Sequence, residues 1–349
     1  MAYTTIDDPS AHFQTVLYTG NGGSNAITND GNSDLQPDLT WLKERSSTSS
    51  HQIIDSSRGD EVLYPDTTDA EGDVNYFTEN SDGFTLGTNN GINENTETYV
   101  AWQWKANGGT TTSGAGNDTI AVSTHQANTT AGFSIVTYTG EDADKTIKHG
   151  LSSAPEWIIT KDRGATLNWN TYHIGVGNDK TCQLNLTNAE SATDSWQDTN
   201  PGSSVYSIGD VAAVNTDGNT LVAYCFHSVQ GYSKFGSFTG NGNDDGPFIY
   251  TGFKPALVIV KRVNNSGAWH MYSSSANGIH RNNEITTRLE ADTSDAAKTH
   301  VYYQMDFISN GFKFWEEGDN INGDGDTMIY CAWAEHPFVS SEGVPATAV

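Results

Sequence analysis

Apolar residues in this chain come in short runs of four to eight, rich in β-branched and aromatic side chains and closed by Gly, Asn, Asp, Ser or Thr. Phe133-Ser-Ile-Val-Thr-Tyr138 is one such run and Leu221-Val-Ala-Tyr-Cys-Phe226 another. This is the pattern of strands separated by polar turns. No segment of about a dozen residues keeps a clean 3.6-residue period, so helix is limited to a turn or two, for example within Asn188–Ser195. The pattern predicts an all-β chain.

Three landmarks recur in the same order. An aromatic-Thr-Gly turn appears as Tyr18-Thr-Gly20, Tyr138-Thr-Gly140 and Phe238-Thr-Gly240. A Pro is followed six residues later by Lys in Pro37–Lys43, Pro155–Lys161 and Pro255–Lys261. An aromatic-ended apolar strand closes each copy at Trp104, Phe226 and Trp333. The turn Gly precedes the Pro by 17, 15 and 15 residues, and the Pro precedes the closing aromatic by 67, 71 and 78. Such regularity marks an internal repeat. The expected architecture is three tandem antiparallel β-sandwich or jelly-roll-like modules at residues 1–107, 131–232 and 233–340. A Gly/Thr-rich linker with a possible strand at Thr119–Ser123 fills 108–130, and an extended tail occupies 341–349. The Pro-to-Lys strand is apolar on both faces, as Trp157/Ile159 and Ile158/Thr160 illustrate, and therefore reads as a central strand. Its terminal Lys is expected to cover the core with its stem while its amine reaches water.

Composition narrows the function. Lys plus Arg number 17 against 43 Asp plus Glu, a formal charge of −26. That surface repels phosphate backbones and anionic membranes, so neither nucleic acid nor membrane insertion is expected. Three cysteines, Cys182, Cys225 and Cys331, make no disulfide framework, and Cys225 and Cys331 lie in apolar runs expected to be buried. The first residues lack the basic and apolar regions of a secretory signal, and no stretch approaches a transmembrane span. Synthesis in a cytoplasm and release by lysis is the expected route.

Candidate chemistry is sparse. Asn241-x-Asn243-x-Asp245-Gly246 and Asn320-x-Asn322-x-Asp324-Gly325 echo the alternating oxygens of a calcium loop, but the closing carboxylate about six positions beyond the Gly is replaced by Gly252 and Cys331. No cofactor is expected; calcium at Asn320, Asn322 and Asp324 is the one candidate, and Asn/Asp/Gly turns explain the same residues. Glu316 and Glu317 are adjacent, and neighbours on a strand point to opposite faces, so they cannot flank a glycosidic bond. Trp169 with His173 and Trp269 with His270 follow the Pro-to-Lys strand in two copies, and could line a sugar site; core packing is the plainer reading. Nothing resembles a nucleophile elbow, a phosphate loop or a zinc helix.

The opening Tyr3-Thr-Thr-Ile-Asp-Asp-Pro9, the Tyr-Thr-Gly-Asn-Gly turn at 18–22, the Gln-Pro-Asp-Leu-x-Trp-Leu-Lys strand at 36–43, Gly132–Gly140 and the closing Pro337-Phe-Val…Gly343-Val-Pro-Ala resemble a repeat family found in virion structural proteins of tailed bacteriophages, notably marine phages such as those of cyanobacteria. The resemblance covers essentially the whole chain and carries over no catalytic residues. It implies a non-enzymatic virion part of tail-fibre or appendage type, partnered by other virion proteins, oligomeric, and presenting loops to a host surface or glycan. A capsid decoration protein and a polysaccharide depolymerase are the alternatives. The family's Asp-Ser-x-Arg-Gly motif stands here once, at Asp55–Gly59, so any ligand site built on Arg58 exists once per chain.

Overall fold

The computed structural model describes residues 2–59, 61–114, 118–275, 283–299, 303–315 and 318–346. Glu316 and Glu317 lie outside the described residues. Each third of the chain forms a large antiparallel sheet with a smaller sheet packed against it, an all-β sandwich-type fold. In the first module the large sheet runs in the order Phe13–Thr19, Thr98–Trp104, Leu39–Glu44, Gln52–Asp55, Glu61–Leu63, Gly72–Asp73. The second and third modules repeat its centre with Phe133–Thr139, Thr220–Phe226, Trp157–Asp162, Asn170–His173 and with Ser233–Thr239, Thr327–Pro337, Phe253–Arg262, Trp269–Ser273. Register is shared: Leu39 pairs with Trp104, Trp157 with Phe226 and Leu257 with Trp333.

Both faces of each large sheet are buried, which is why its central strands are apolar throughout. Leu42, Ile158 and Val258 face the module's own small sheet, in three separate cores. The opposite faces, carrying Trp41, Trp157 and Leu257, meet in one core common to all three modules. At its centre the three closing aromatics touch one another: ring centroids are 6.1 Å apart for Trp104–Phe226, 5.3 Å for Trp104–Trp333 and 5.5 Å for Phe226–Trp333. Edge-to-face pairs of this kind contribute roughly 0.5–1.5 kcal/mol each beyond area burial.

The modules close on one another cyclically. The backbone N–H of Glu71 in module 1 donates to Arg163 O in module 2, Glu190 of module 2 to Val263 O of module 3, and Ala297 of module 3 to Arg45 O of module 1. The three acceptors each stand eight residues after the landmark Pro. Equivalent contacts running head to tail and returning to the start define a closed ring, so the single chain is an internal trimer. Its ends meet beside module 3, where the Tyr3 hydroxyl donates to Gly252 O and Ser341 N donates to Asp7.

Four expectations need correction. Within the 108–130 linker the strand lies later than expected: Ser123–Asn128 pairs along Phe133–Thr139 and extends module 2's sheet, with Thr112–Ser113 outside it. Its strand begins at Ser123 and does not occupy Thr119–Ser123. Asn188–Ser195 holds the short strand Ser191–Ala192, and among the described residues the single-turn α-helices are Asn90–Asn93, Ala212–Asn215 and Asp319–Asn322. The described part of the tail, to Ala346, folds back instead of running extended, with Ala346 N donating to Phe338 O and a bridge between Val339 and Pro345. Finally, Lys43, Lys161 and Lys261 are fully buried, because the neighbouring module covers the strand end where water was expected.

Candidate functional site

The candidate residues fall at two kinds of place, the turns and the seams between modules. Asn322 caps a turn. Its Oδ1 accepts from Asn241 N, and its Nδ2 donates to Asn241 Oδ1 and Asn243 O. Asn93 and Asn215 occupy the same place in the other copies, accepting from Asn21 N and Glu141 N. All three are fully buried. The calcium expectation at Asn320, Asn322 and Asp324 is thereby corrected: Asn322 is committed to the turn, Asn320 donates to the Tyr303 hydroxyl, and Asp324 is exposed. Among the described residues no group of three His, Cys, Asp or Glu could hold a metal ion. The repeated Asn was legible in sequence, since each stands five residues before the Thr that opens the closing strand, at Thr98, Thr220 and Thr327.

Trp169 and Trp269 bind modules together. Trp169 Nε1 donates to Tyr64 O of module 1, and Trp269 Nε1 donates to Gln183 O of module 2. Their counterpart in module 1 is His51, eight residues after Lys43 as each Trp is after Lys161 or Lys261. His51 Nδ1 accepts from Trp41 Nε1, so its proton sits on Nε2 and is donated to Glu290 O of module 3. His173 accepts from Gly175 N on Nδ1 and donates from Nε2 to Tyr330 O of module 3. Burial pushes its pKa down to about 4, keeping the ring neutral. His270 is not its equivalent: His270 pairs with Val260, whereas His173 pairs with Trp157. It packs beside Tyr303 with Glu290 Oε1 at 3.5 Å, and burial drives its pKa well below the usual value. Trp169, His173, Trp269 and His270 are each at most 1 % exposed, so they offer no ring face to a sugar and the expected glycan site at them is not formed.

Arg58 is likewise a seam residue, not a ligand anchor. Its Nε meets Asp55 Oδ2 at 2.5 Å with both side chains buried, and Tyr224 of module 2 donates to the same oxygen at 2.7 Å. Glu71 links Arg58, at 3.6 Å, to Arg163 of module 2, at 2.7 Å. Breaking such a buried, hydrogen-bonded pair by removing one partner costs about 3–5 kcal/mol.

The seams are not identical. Asp38 holds the chain leaving module 1 by accepting from Ala106, Gly108 and Gly109 N, and Glu156 does the same for the chain leaving module 2 through Ser228 N. The matching position in module 3 is Ala256, and here the chain does not cross. A groove of about 510 Å³ opens instead between modules 3 and 1, lined in part by Asp8, Gln14, Lys254, Ala256 and Glu335. Its polar walls are largely occupied with one another. Gln14 Nε2 donates to Ser10 O and Ser33 O, Asp8 accepts from Ser10 and Ser33, and Lys254 sits 3.5 Å from Glu335.

The geometry defines an all-β protein of three cyclically closed modules in which most sequence-conspicuous polar residues join modules or cap turns. Residues 8–337 match a family described as Domain of unknown function (DUF7483), and the chain belongs to that family. No curated protein matches it. No helix among the described residues is long and apolar enough to cross a membrane.

Proposed function

We propose that the protein is a non-enzymatic structural component of a bacteriophage virion, of tail-fibre or appendage type, which presents its outer surface to the host. The observation that carries this reading is the closed internal trimer: Arg58, Trp169, His173 and Trp269 all serve cohesion, as suits a rigid building block. The resemblance of the whole chain to virion repeat proteins supports the same reading. A second reading, capsid decoration, is favoured by the cyclic closure, since a three-module ring suits a threefold position on a shell. Cryo-electron microscopy of purified virions tests both. A few symmetric copies at the tail is the expected result, hundreds of copies on the shell would replace it with decoration, and absence from the particle would overturn both.

A further inference from the structure

The three modules provide an internal control, because each packs a small sheet of two to four strands on its large one around a shared central pair, and the outward faces of those pairs differ. In module 3 the strands Phe248–Tyr250, Gly311–Phe314, Met305–Ile308 and Glu284–Ile285 form that sheet. Inward, Ile249, Phe312 and Phe307 pack the core, as Ile27 and Phe84 do in module 1 and Ile147 and Tyr206 in module 2. Outward, register matches Phe248 with Ala26 and Thr146, Lys313 with Thr85 and Ser207, and Asp306 with Thr78 in module 1. Folding demands nothing apolar on this face, and the other modules place small or polar residues there. Module 3 instead leaves Phe248 46 %, Tyr250 47 % and Trp315 42 % exposed. Large exposed aromatics grouped on one face mark a binding surface.

The rings are held in place. Tyr3 donates its hydroxyl hydrogen to Gly252 O, so Tyr250 donates to the Tyr3 hydroxyl at 2.9 Å and its ring is tethered from the far end of the chain. Lys313 Nζ lies 4.8 Å from the centre of the Trp315 ring and is itself fixed by Asp245 at 2.6 Å. A Cβ at Gly311 would fall 2.1 Å from Ile249 O and 2.8 Å from Phe248 Cε2, so the floor beside the Phe248 ring must stay bare. Alternate residues on a strand stand about 6.5–7 Å apart, which sets Phe248 and Tyr250 at the spacing of adjoining flat rings.

We propose that this face is a carbohydrate-binding platform, on which Phe248, Tyr250 and Trp315 stack against the C–H faces of pyranose rings while Lys313 and Asp306 hydrogen-bond their hydroxyls. The combination of aromatic faces with charged donors and acceptors at their edges matches the two-sided chemistry of a sugar, whose ring faces are apolar and whose rim is hydroxylated. The net charge of −26 opposes a second copy of the chain or an acidic protein, and does not oppose a neutral glycan. The inference deepens the host-recognition part of the proposed function, yet binding by the purified chain is independent of where the chain sits in a particle.

The test exposes the purified full chain to a printed panel of neutral and acidic pyranose oligosaccharides, then titrates the positives by tryptophan fluorescence. Tyr250→Ala and Trp315→Ala should each weaken binding at least tenfold, the pair should abolish it, and Thr85→Ala on the matching face of module 1 should leave it unchanged. Tyr250→Ala and Trp315→Ala should melt with the unaltered chain, since both side chains are exposed, and Thr85→Ala, which gives up a half-buried hydrogen bond with Asn80, should remain folded. A panel with no positives, or positives that survive both aromatic substitutions, overturns the proposal. So does self-association in sedimentation velocity that these substitutions remove, which would make the face a homotypic contact. A failed panel would leave the virion assignment standing, and absence from the virion would leave the platform standing.

Discussion

Replacing Lys261 by methionine should remove a defined part of the pH dependence of stability. The Lys261 ammonium donates to Thr187 O of module 2, at 2.9 Å, and to Gly267 O. It is fully buried, and burial pushes its pKa from 10.5 down to about 8. Between those values the unfolded chain holds a proton that the folded chain has released, so stability rises with pH across that window. The contribution is complete above 10.5 and is lost as the pH falls through about 8. At about 1.4 kcal/mol per tenfold change the whole window is worth roughly 3 kcal/mol, of which roughly 2 kcal/mol falls between about pH 7 and about pH 9.5. Tyrosines begin to ionise near about pH 10, so the measurement stops short of that. Lys43 and Lys161 carry the same lowering to about 8 and remain in both proteins, so the difference isolates one amine. Urea unfolding of the unaltered chain and of Lys261→Met across this range should give stabilities whose difference changes by roughly 2 kcal/mol. The absolute effect at one pH also contains two orphaned carbonyls, and only the pH-dependent part reports on the amine. A difference that stays flat with pH would refute the buried, proton-strained amine.

Other consequences follow from single residues. Asn215→Ala strands Glu141 N, Ala143 O and Gly209 O, and should lower the urea-derived stability by about 3 kcal/mol. Gly140→Ala would place a Cβ 2.1 Å from Thr216 O, so the turn must shift and the melting point should fall by the equivalent of at least about 2 kcal/mol. Cys182, Cys225 and Cys331 are all buried with their thiol pKa values raised by burial, so an aromatic disulfide reagent at neutral pH should label none until urea unfolds the chain.

Much of the fold was legible because strand chemistry is local. The aromatic-Thr-Gly turns, the Pro-to-Lys strands and the closing aromatics lie at equivalent points of three sheets, and their spacing alone announced a repeat. The apolar character of both strand faces was legible too, but what covers the second face was not. Trp41 and Trp157 pack in a core built by all three modules, and no property of one module's sequence states that its copies close into a ring. That gap accounts for the misplaced residues. Trp169 and Trp269 beside histidines carry the composition of a sugar site, and only the neighbouring module's carbonyls reveal them as seam contacts. Lys161 looked able to reach water from its strand end, and the fold encloses it instead, with Asp162 O and Ala165 O as acceptors. The one-turn helices escaped because four residues hold too little periodicity to register, although the Asn ending each was repeated at constant spacing. Nothing in the sequence sets Phe248 and Tyr250 apart from core strand residues, because only register shows that their side of the sheet faces solvent.

Differential scanning calorimetry of the intact chain tests whether three modules sharing one aromatic core form one cooperative body. A single transition is expected, its calorimetric enthalpy equal to its van't Hoff enthalpy. Resolved transitions, or a calorimetric enthalpy near three times the van't Hoff value, would mean that the modules unfold independently and that the ring of contacts around Trp104, Phe226 and Trp333 does not bind them into one unit.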